Sequence, residues 1–139
     1  MTRNGVSGFT LIEMMIVTEI IAILVAVTYP SLMRQRIMTN EASAVQNLHQ
    51  ISGSQVTFNS ANGRYGTFEE LVADTGHQGT SFLSGTWAEN IVKDGYTYTS
   101  DNIGDVTFKF IATPAVLGKS GVHSFTVDET GTISHTPDD

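Results

Sequence analysis

The sequence predicts an α+β protein in which one long N-terminal helix packs on a small antiparallel sheet. An almost uninterrupted apolar run, residues 9–29, leads into a segment with helical periodicity. After residue 95 the pattern changes to the apolar–polar alternation of strands. One helix laid across one face of such a sheet would bury both apolar surfaces. The 139 residues are enough for one domain with a modest core and an appendage.

The apolar run has the length of a membrane-spanning helix. About 21 residues give roughly 31 Å of helix at ~1.5 Å per residue, which matches the hydrocarbon core of a bilayer. A carboxylate at mid-membrane costs roughly 2.5–3.5 kcal/mol, so each glutamate needs a partner or a function. Glu13 lies near one edge of the run and is either a protonated, snorkelling side chain or one neutralised by a positive group. The polar residues of the run are Thr10, Glu13, Thr18, Glu19 and Thr28.

An amphipathic helix is predicted over residues 30–59. Pro30 lacks an amide donor and either ends or kinks a helix. Because the downstream residues keep a helical pattern, we predict a kink at Pro30. Gly53 weakens this helix by about 1 kcal/mol relative to alanine, and Asn62-Gly63 predicts a turn. The predicted apolar stripe consists of Ala44, Leu48, Ile51, Gln55 and Phe58.

A globular head is predicted over residues 60–139. Its first part, 60–94, contains a short helix that begins at a capping box of Thr67 and Glu70 and continues to about Asp74. Its second part, 95–136, forms an antiparallel sheet of three or four strands. The strand patterns cover 96–99, 106–111, 124–128 and 132–135, and the last two form a hairpin with Gly131 at positive φ.

Composition excludes several classes of function. The net charge of −7 and the pI near 4.9 argue against nucleic acid as a partner, because such a surface needs a basic face. The absence of cysteine excludes disulfides, thiolate metal sites and thiol nucleophiles. The head must therefore be stabilised by packing alone.

The sequence predicts no enzyme, no cofactor and no metal site. No phosphate loop follows a strand, and no nucleophile elbow is present. The adjacent acids Glu69 and Glu70 are explained by their position at the start of a helix, where the helix dipole favours negative charge. Asp101, Asn102 and Asp105 could face a calcium ion, but three loop oxygens are a weak signal. The histidines are scattered and have no acid at metal-ligand spacing: His49, His77, His123 and His135.

The N-terminal motif is more specific. Residues 8–17, GFTLIEMMIV, followed by Pro30 after the apolar run, resemble the class III signal of type IV pilins and of the pseudopilins of type II secretion. The resemblance implies that residues 1–8 are a leader, that prepilin peptidase cuts between Gly8 and Phe9, and that Phe9 is N-methylated. It also implies that Glu13 meets the Phe9 α-amine of a neighbouring subunit during assembly, and that Pro30 bends the helix.

Later stretches extend the resemblance. Residues 40–48, 63–67, 112–114 and 124–131 are similar to cysteine-free bacterial pilins, which implies the pilin fold. Two features depart from the family pattern. Glu19 stands where members usually carry a small or apolar residue, and the C-terminal disulfide of many pilins is absent.

The resulting expectation is a structural subunit of a type IV pilus filament, with 9–29 as transmembrane and filament-core helix. Its implied partners are further copies of itself in a helical homopolymer, the prepilin peptidase, and the assembly machinery of the inner membrane. Arg3, Arg34 and Arg36 leave the membrane orientation ambiguous by charge, and the resemblance implies an extracellular head. The alternatives are a type II secretion pseudopilin and a single-pass protein with an adhesive or enzymatic head.

Overall fold

The computed structural model describes residues 8–73 and 81–137. A long helix α1 (Leu11–Asn62) and a short helix α2 (Phe68–Val72) precede a five-stranded sheet. The strands are β1 (Ile91–Lys93), β2 (Tyr96–Asp101), β3 (Lys109–Pro114), β4 (His123–Asp128) and β5 (Ile133–Pro137). The α+β class is confirmed. The chain forms two compact units, Met1–Gln35 and Arg36–Asp139.

Helix α1 continues through its internal proline. It runs for 52 residues and contains Pro30, so this proline does not end the helix. The kink at Pro30 stays a prediction. The predicted turn at Asn62-Gly63 is confirmed: α1 ends at Asn62, and Gly63 has a φ of 73°, which favours glycine.

The predicted stripe on the second half of α1 is buried in the core of the head. All five predicted residues are at most 4% exposed. Their steps of three and four residues place them on one face of the helix, and this face joins one core cluster with the sheet. This burial confirms the predicted stripe of Ala44, Leu48, Ile51, Gln55 and Phe58.

The sheet is an antiparallel meander in the order β1-β2-β3-β4-β5. Its core face is rich in aromatic residues, and edge-to-face contacts such as Trp87 with Tyr98 link the sheet to the preceding loop. The buried side chains of this face are Tyr96, Tyr98, Phe110, Ala112, Phe125 and Val127.

Two sheet predictions need correction. The sheet has five strands in place of the three or four predicted, because Ile91–Lys93 of β1 is too short to show an alternating pattern. The strand predicted over 106–111 begins at Lys109 instead. The pairing of Asp101 with Lys109 places residues 102–108 in the connecting loop, where Val106 is 78% exposed. The hairpin between β4 and β5 is confirmed, and Gly131 has a φ of 74°.

Helix α2 begins where the sequence predicts. The Thr67 side chain accepts a hydrogen bond from Glu70 N, and the Glu70 carboxylate accepts one from Thr67 N. Each partner satisfies a helix-end amide, so the capping box is confirmed. The described helix ends at Val72, and the predicted end near Asp74 lies outside the described residues.

Candidate assembly site

The Glu13 carboxylate is held by the residue that precedes α1. Thr10 N and Thr10 Oγ1 both donate to Glu13 Oε2 at 2.9 Å. Glu13 N in turn donates to Thr10 Oγ1 at 3.3 Å. This is the reciprocal arrangement of a capping box, with Thr10 in the cap position and Glu13 at the third helical residue. The acidic group also lies at the helix N-terminus, where the helix dipole favours negative charge.

Sequence reasoning missed this capping box, although the signal was present. Thr10 and Glu13 have the same spacing as Thr67 and Glu70, where the motif was recognised. The arrangement gives Glu13 two hydrogen-bond donors within its own chain and so reduces the cost of an isolated carboxylate in lipid.

The structure brings three of the predicted site residues together. Gly8, Phe9 and Glu13, with Thr10, line one shallow surface pocket at the start of α1. The side chain of Phe9 is 80% exposed. Pro30, the remaining predicted site residue, lies within α1 and does not line this pocket.

The first half of α1 is apolar and uncovered. Its best 18-residue window has a mean hydropathy of 2.3, and none of that window is buried. By length and composition, α1 can therefore cross a membrane. An exposed apolar surface of this extent marks a membrane or protein contact rather than a solvated face.

Glu19 has a different environment from Glu13. It is exposed on α1, and no side-chain partner for it is found in residues 8–73 and 81–137. At ~100° per residue, six positions separate it from Glu13 by about 240° around the helix. Nothing in the structure accounts for Glu19.

The remaining candidate residues form no recognisable catalytic centre. Within the described ranges, no group of three or more His, Cys, Asp or Glu side chains could hold a metal ion. Asp101 lies 4.0 Å from the Lys109 ammonium. His49 is exposed on α1, and His77 lies outside the described residues.

The contacts of His123 with Glu41 and His135 were not predicted. The fold brings His123 beside His135 and Glu41, although the sequence shows these residues far apart. His123 Nδ1 lies 3.1 Å from Glu41 Oε1, across a separation of 82 residues. No local pattern could have indicated this contact, because it depends on how α1 lies over the start of β4.

Comparison with known proteins agrees with this geometry. The family model described as the prokaryotic N-terminal methylation motif matches residues 3–29. This match includes Gly8 and Phe9, which precede α1, and Glu13 in its first turn. A long apolar N-terminal helix that carries this motif, followed by a small antiparallel sheet, is the arrangement that the resemblance to pilins implies.

A curated relative is similar over about half of the chain. The type IV major pilin protein PilA of Myxococcus xanthus (strain DK1622) is 33% identical over 75 residues, which cover 54% of this chain and 34% of that protein. The chain thus matches about a third of the length of this relative. The motif and the relative support a type IV pilin. Pilins are structural subunits rather than enzymes, in agreement with the non-enzymatic prediction.

Proposed function

We propose that this chain is a structural subunit of a type IV pilus filament, cut between Gly8 and Phe9, N-methylated at Phe9 and polymerised through α1. The single observation that carries the proposal is the position of Glu13. Its carboxylate lies at the start of an uncovered apolar helix, beside the residue that would become the new N-terminus.

The contacts of Glu13 leave it able to bind a neighbour. Both hydrogen bonds from Thr10 end on Oε2. A carboxylate has two oxygens with about four acceptor sites, so Oε1 can accept from the α-amine of Phe9 in an adjacent subunit. Such a pair would neutralise two charges in an apolar environment and set the axial offset between helices.

The apolar first half of α1 serves two stages in this proposal. Before assembly it would anchor the subunit in the cytoplasmic membrane, with the head on the outer side. After assembly the same surface would pack against other copies in the filament core, and the acidic heads would form the extracellular surface. The peptidase and the assembly machinery of the inner membrane would be transient partners.

A pair of substitutions separates the two roles of Glu13. Glu13→Gln keeps an acceptor for Thr10 and removes the charge, whereas Glu13→Ala removes both. We expect both variants to be cleaved, as shown by the gel mobility of the membrane-bound subunit, and to yield few sheared filaments. Normal filaments from both variants would contradict the charge pairing.

The same experiment identifies a purely local role. If Glu13 serves only as a cap, Glu13→Gln will assemble normally and only Glu13→Ala will fail. A short periplasmic assembly in place of surface filaments in the unsubstituted protein would instead favour the type II secretion pseudopilin. The similarity to a major pilin supports the pilus.

A further inference from the structure

Two histidines meet at the edge of the sheet, on the side that faces α1. His123 begins β4, and His135 lies in β5, where it pairs with Phe125. The two histidines are thus diagonal neighbours on adjacent strands, with side chains on the same face. Their ring centroids are 5.6 Å apart at an interplanar angle of 81°. The His123 side chain is 39% exposed, and His135 is also exposed, so both rings are accessible.

Glu41 of α1 orients the first of these rings. Its Oε1 accepts a hydrogen bond from Val122 N at 3.0 Å and lies 3.1 Å from His123 Nδ1. Glu41 thus joins α1 to the start of β4, at the residue before His123 and at the His123 ring itself.

The contact with Glu41 engages Nδ1 of His123 and leaves Nε2 as the other ring nitrogen. In the tautomer in which His123 Nδ1 donates to Glu41 Oε1, Nδ1 carries the hydrogen. The lone pair of the neutral ring then lies on Nε2. A carboxylate bound to the second nitrogen of a metal-binding histidine fixes the ring orientation in this way and raises its basicity.

We propose that His123 and His135 form a binding site for a divalent transition-metal ion such as Zn²⁺, with Glu41 as a positioning residue. Imidazole nitrogen is a preferred ligand of these ions, at ~2.0–2.1 Å from Zn²⁺. The site has two protein ligands, so water completes the coordination shell. The ion would link β4 to β5, and through Glu41 it would couple both strands to α1. This inference does not depend on filament formation.

The site can be tested in the full-length chain in detergent micelles. The double variant His49→Gln/His77→Gln leaves His123 and His135 as the remaining histidines of the four in the sequence. Calorimetric titration of this background with ZnCl₂ should show one ion bound per chain. Adding His135→Gln should weaken the affinity by at least about tenfold, and adding Glu41→Gln by about tenfold.

A second measurement needs no substitution. In the unsubstituted chain, ¹⁵N–¹H spectra of the histidine rings should show Zn²⁺-dependent shifts of the Nε2 signal of His123 and of a ring nitrogen of His135. The rings of His49 and His77 should not respond. The proposal is overturned if Zn²⁺ binding does not saturate, if His135→Gln leaves the affinity unchanged in a folded chain, or if the shifts fall on His49 or His77.

Discussion

The Gln55 side chain of α1 is hydrogen-bonded to both backbone polar groups of Gly66. Gln55 Nε2 donates to Gly66 O, and Gly66 N donates to Gln55 Oε1 at 2.9 Å. Gln55 is fully buried. A Cβ atom at residue 66 would lie 2.9 Å from the Phe58 ring, so only glycine lets the backbone approach this closely. The pair fixes the loop after α1 against the helix.

Gln55→Ala should destabilise the head markedly. The substitution leaves a buried N–H and a buried C=O without partners, and each such group costs about 1–3 kcal/mol. We expect the free energy of unfolding to fall by about 2–4 kcal/mol.

Chemical denaturation of the full chain in micelles can be followed by the fluorescence of Trp87, the single tryptophan, which is 4% exposed. Gln46→Ala, at an exposed position of α1, is the control and should change stability by less than about 0.5 kcal/mol. Equal effects of the two variants would contradict the account.

Two glycine-to-alanine substitutions should act in opposite directions. Gly53 is exposed within α1, and a Cβ atom there meets nothing within 4 Å. Gly53→Ala should therefore stabilise the head by about 1 kcal/mol through helix propensity. At Gly121 a Cβ atom would lie 2.0 Å from Tyr96 Oη, which donates to His123 O. Gly121→Ala should destabilise the head by about 1–3 kcal/mol. Unfolding monitored by tryptophan fluorescence measures both changes, and shifts of the same sign would refute the prediction.

Glu70 should make stability depend on pH in the acid range. The hydrogen bond from Arg64, and then that from Thr67 N, lower the pKa of Glu70 from 4.5 to about 2. A carboxyl group with a lowered pKa stabilises the folded state above pH 4.5, and this stabilisation is lost as the pH falls toward 2. Because the side chain is 37% exposed, screening by water limits the contribution to about 1 kcal/mol or less.

Glu70→Gln tests this dependence while keeping the capping box. Glutamine at the third helical position can still accept from Thr67 N. The variant should lose less stability than the unsubstituted chain between pH 7 and pH 3, as measured by urea unfolding at each pH. Glu69→Gln, at the exposed neighbouring position, should follow the unsubstituted chain. If the free energy of unfolding depends on pH in the same way for Glu70→Gln and the unsubstituted chain, Glu70 does not cause the loss of stability in acid.

Glu19 tests whether the second glutamate contributes to assembly. Our hypothesis is that it tunes the helix register in the bundle, because it carries a carboxylate on an apolar, exposed part of α1. Glu19→Ala should then change the yield or the thermal stability of sheared filaments without affecting cleavage. If both quantities match those of the unsubstituted protein, this hypothesis is wrong.

The parts of the fold that follow from local pattern could be predicted from the sequence. The periodicity of Leu48, Ile51 and Phe58 predicts the buried face of α1, and the Thr67–Glu70 spacing predicts the start of α2. Strand β3 was placed too early because Val106 fits an alternating pattern. Its exclusion from the sheet depends on the register between Asp101 and Lys109, which no local pattern encodes.

In the candidate site, too, local features could be predicted from the sequence and tertiary contacts could not. The sequence singles out Gly8, Phe9 and Glu13 by a motif, and these residues are close because they are near neighbours along the chain at the start of α1. The contact of Glu41 with His123 joins α1 to β4 and could not be predicted, since it depends on tertiary packing. The hydrogen bonds between Thr10 and Glu13 could have been predicted, because the two residues have the three-residue spacing of an ordinary capping box.

The central claim is that the chain is processed at Gly8–Phe9 and assembled into surface filaments. Its most direct test is mass spectrometry of the N-terminal peptide in filaments sheared from cells that produce the protein. We predict an abundant peptide that begins with N-methylated Phe9 in the sheared fraction. An uncut terminus beginning at Met1 in every fraction would contradict the account and leave a simple membrane-anchored protein.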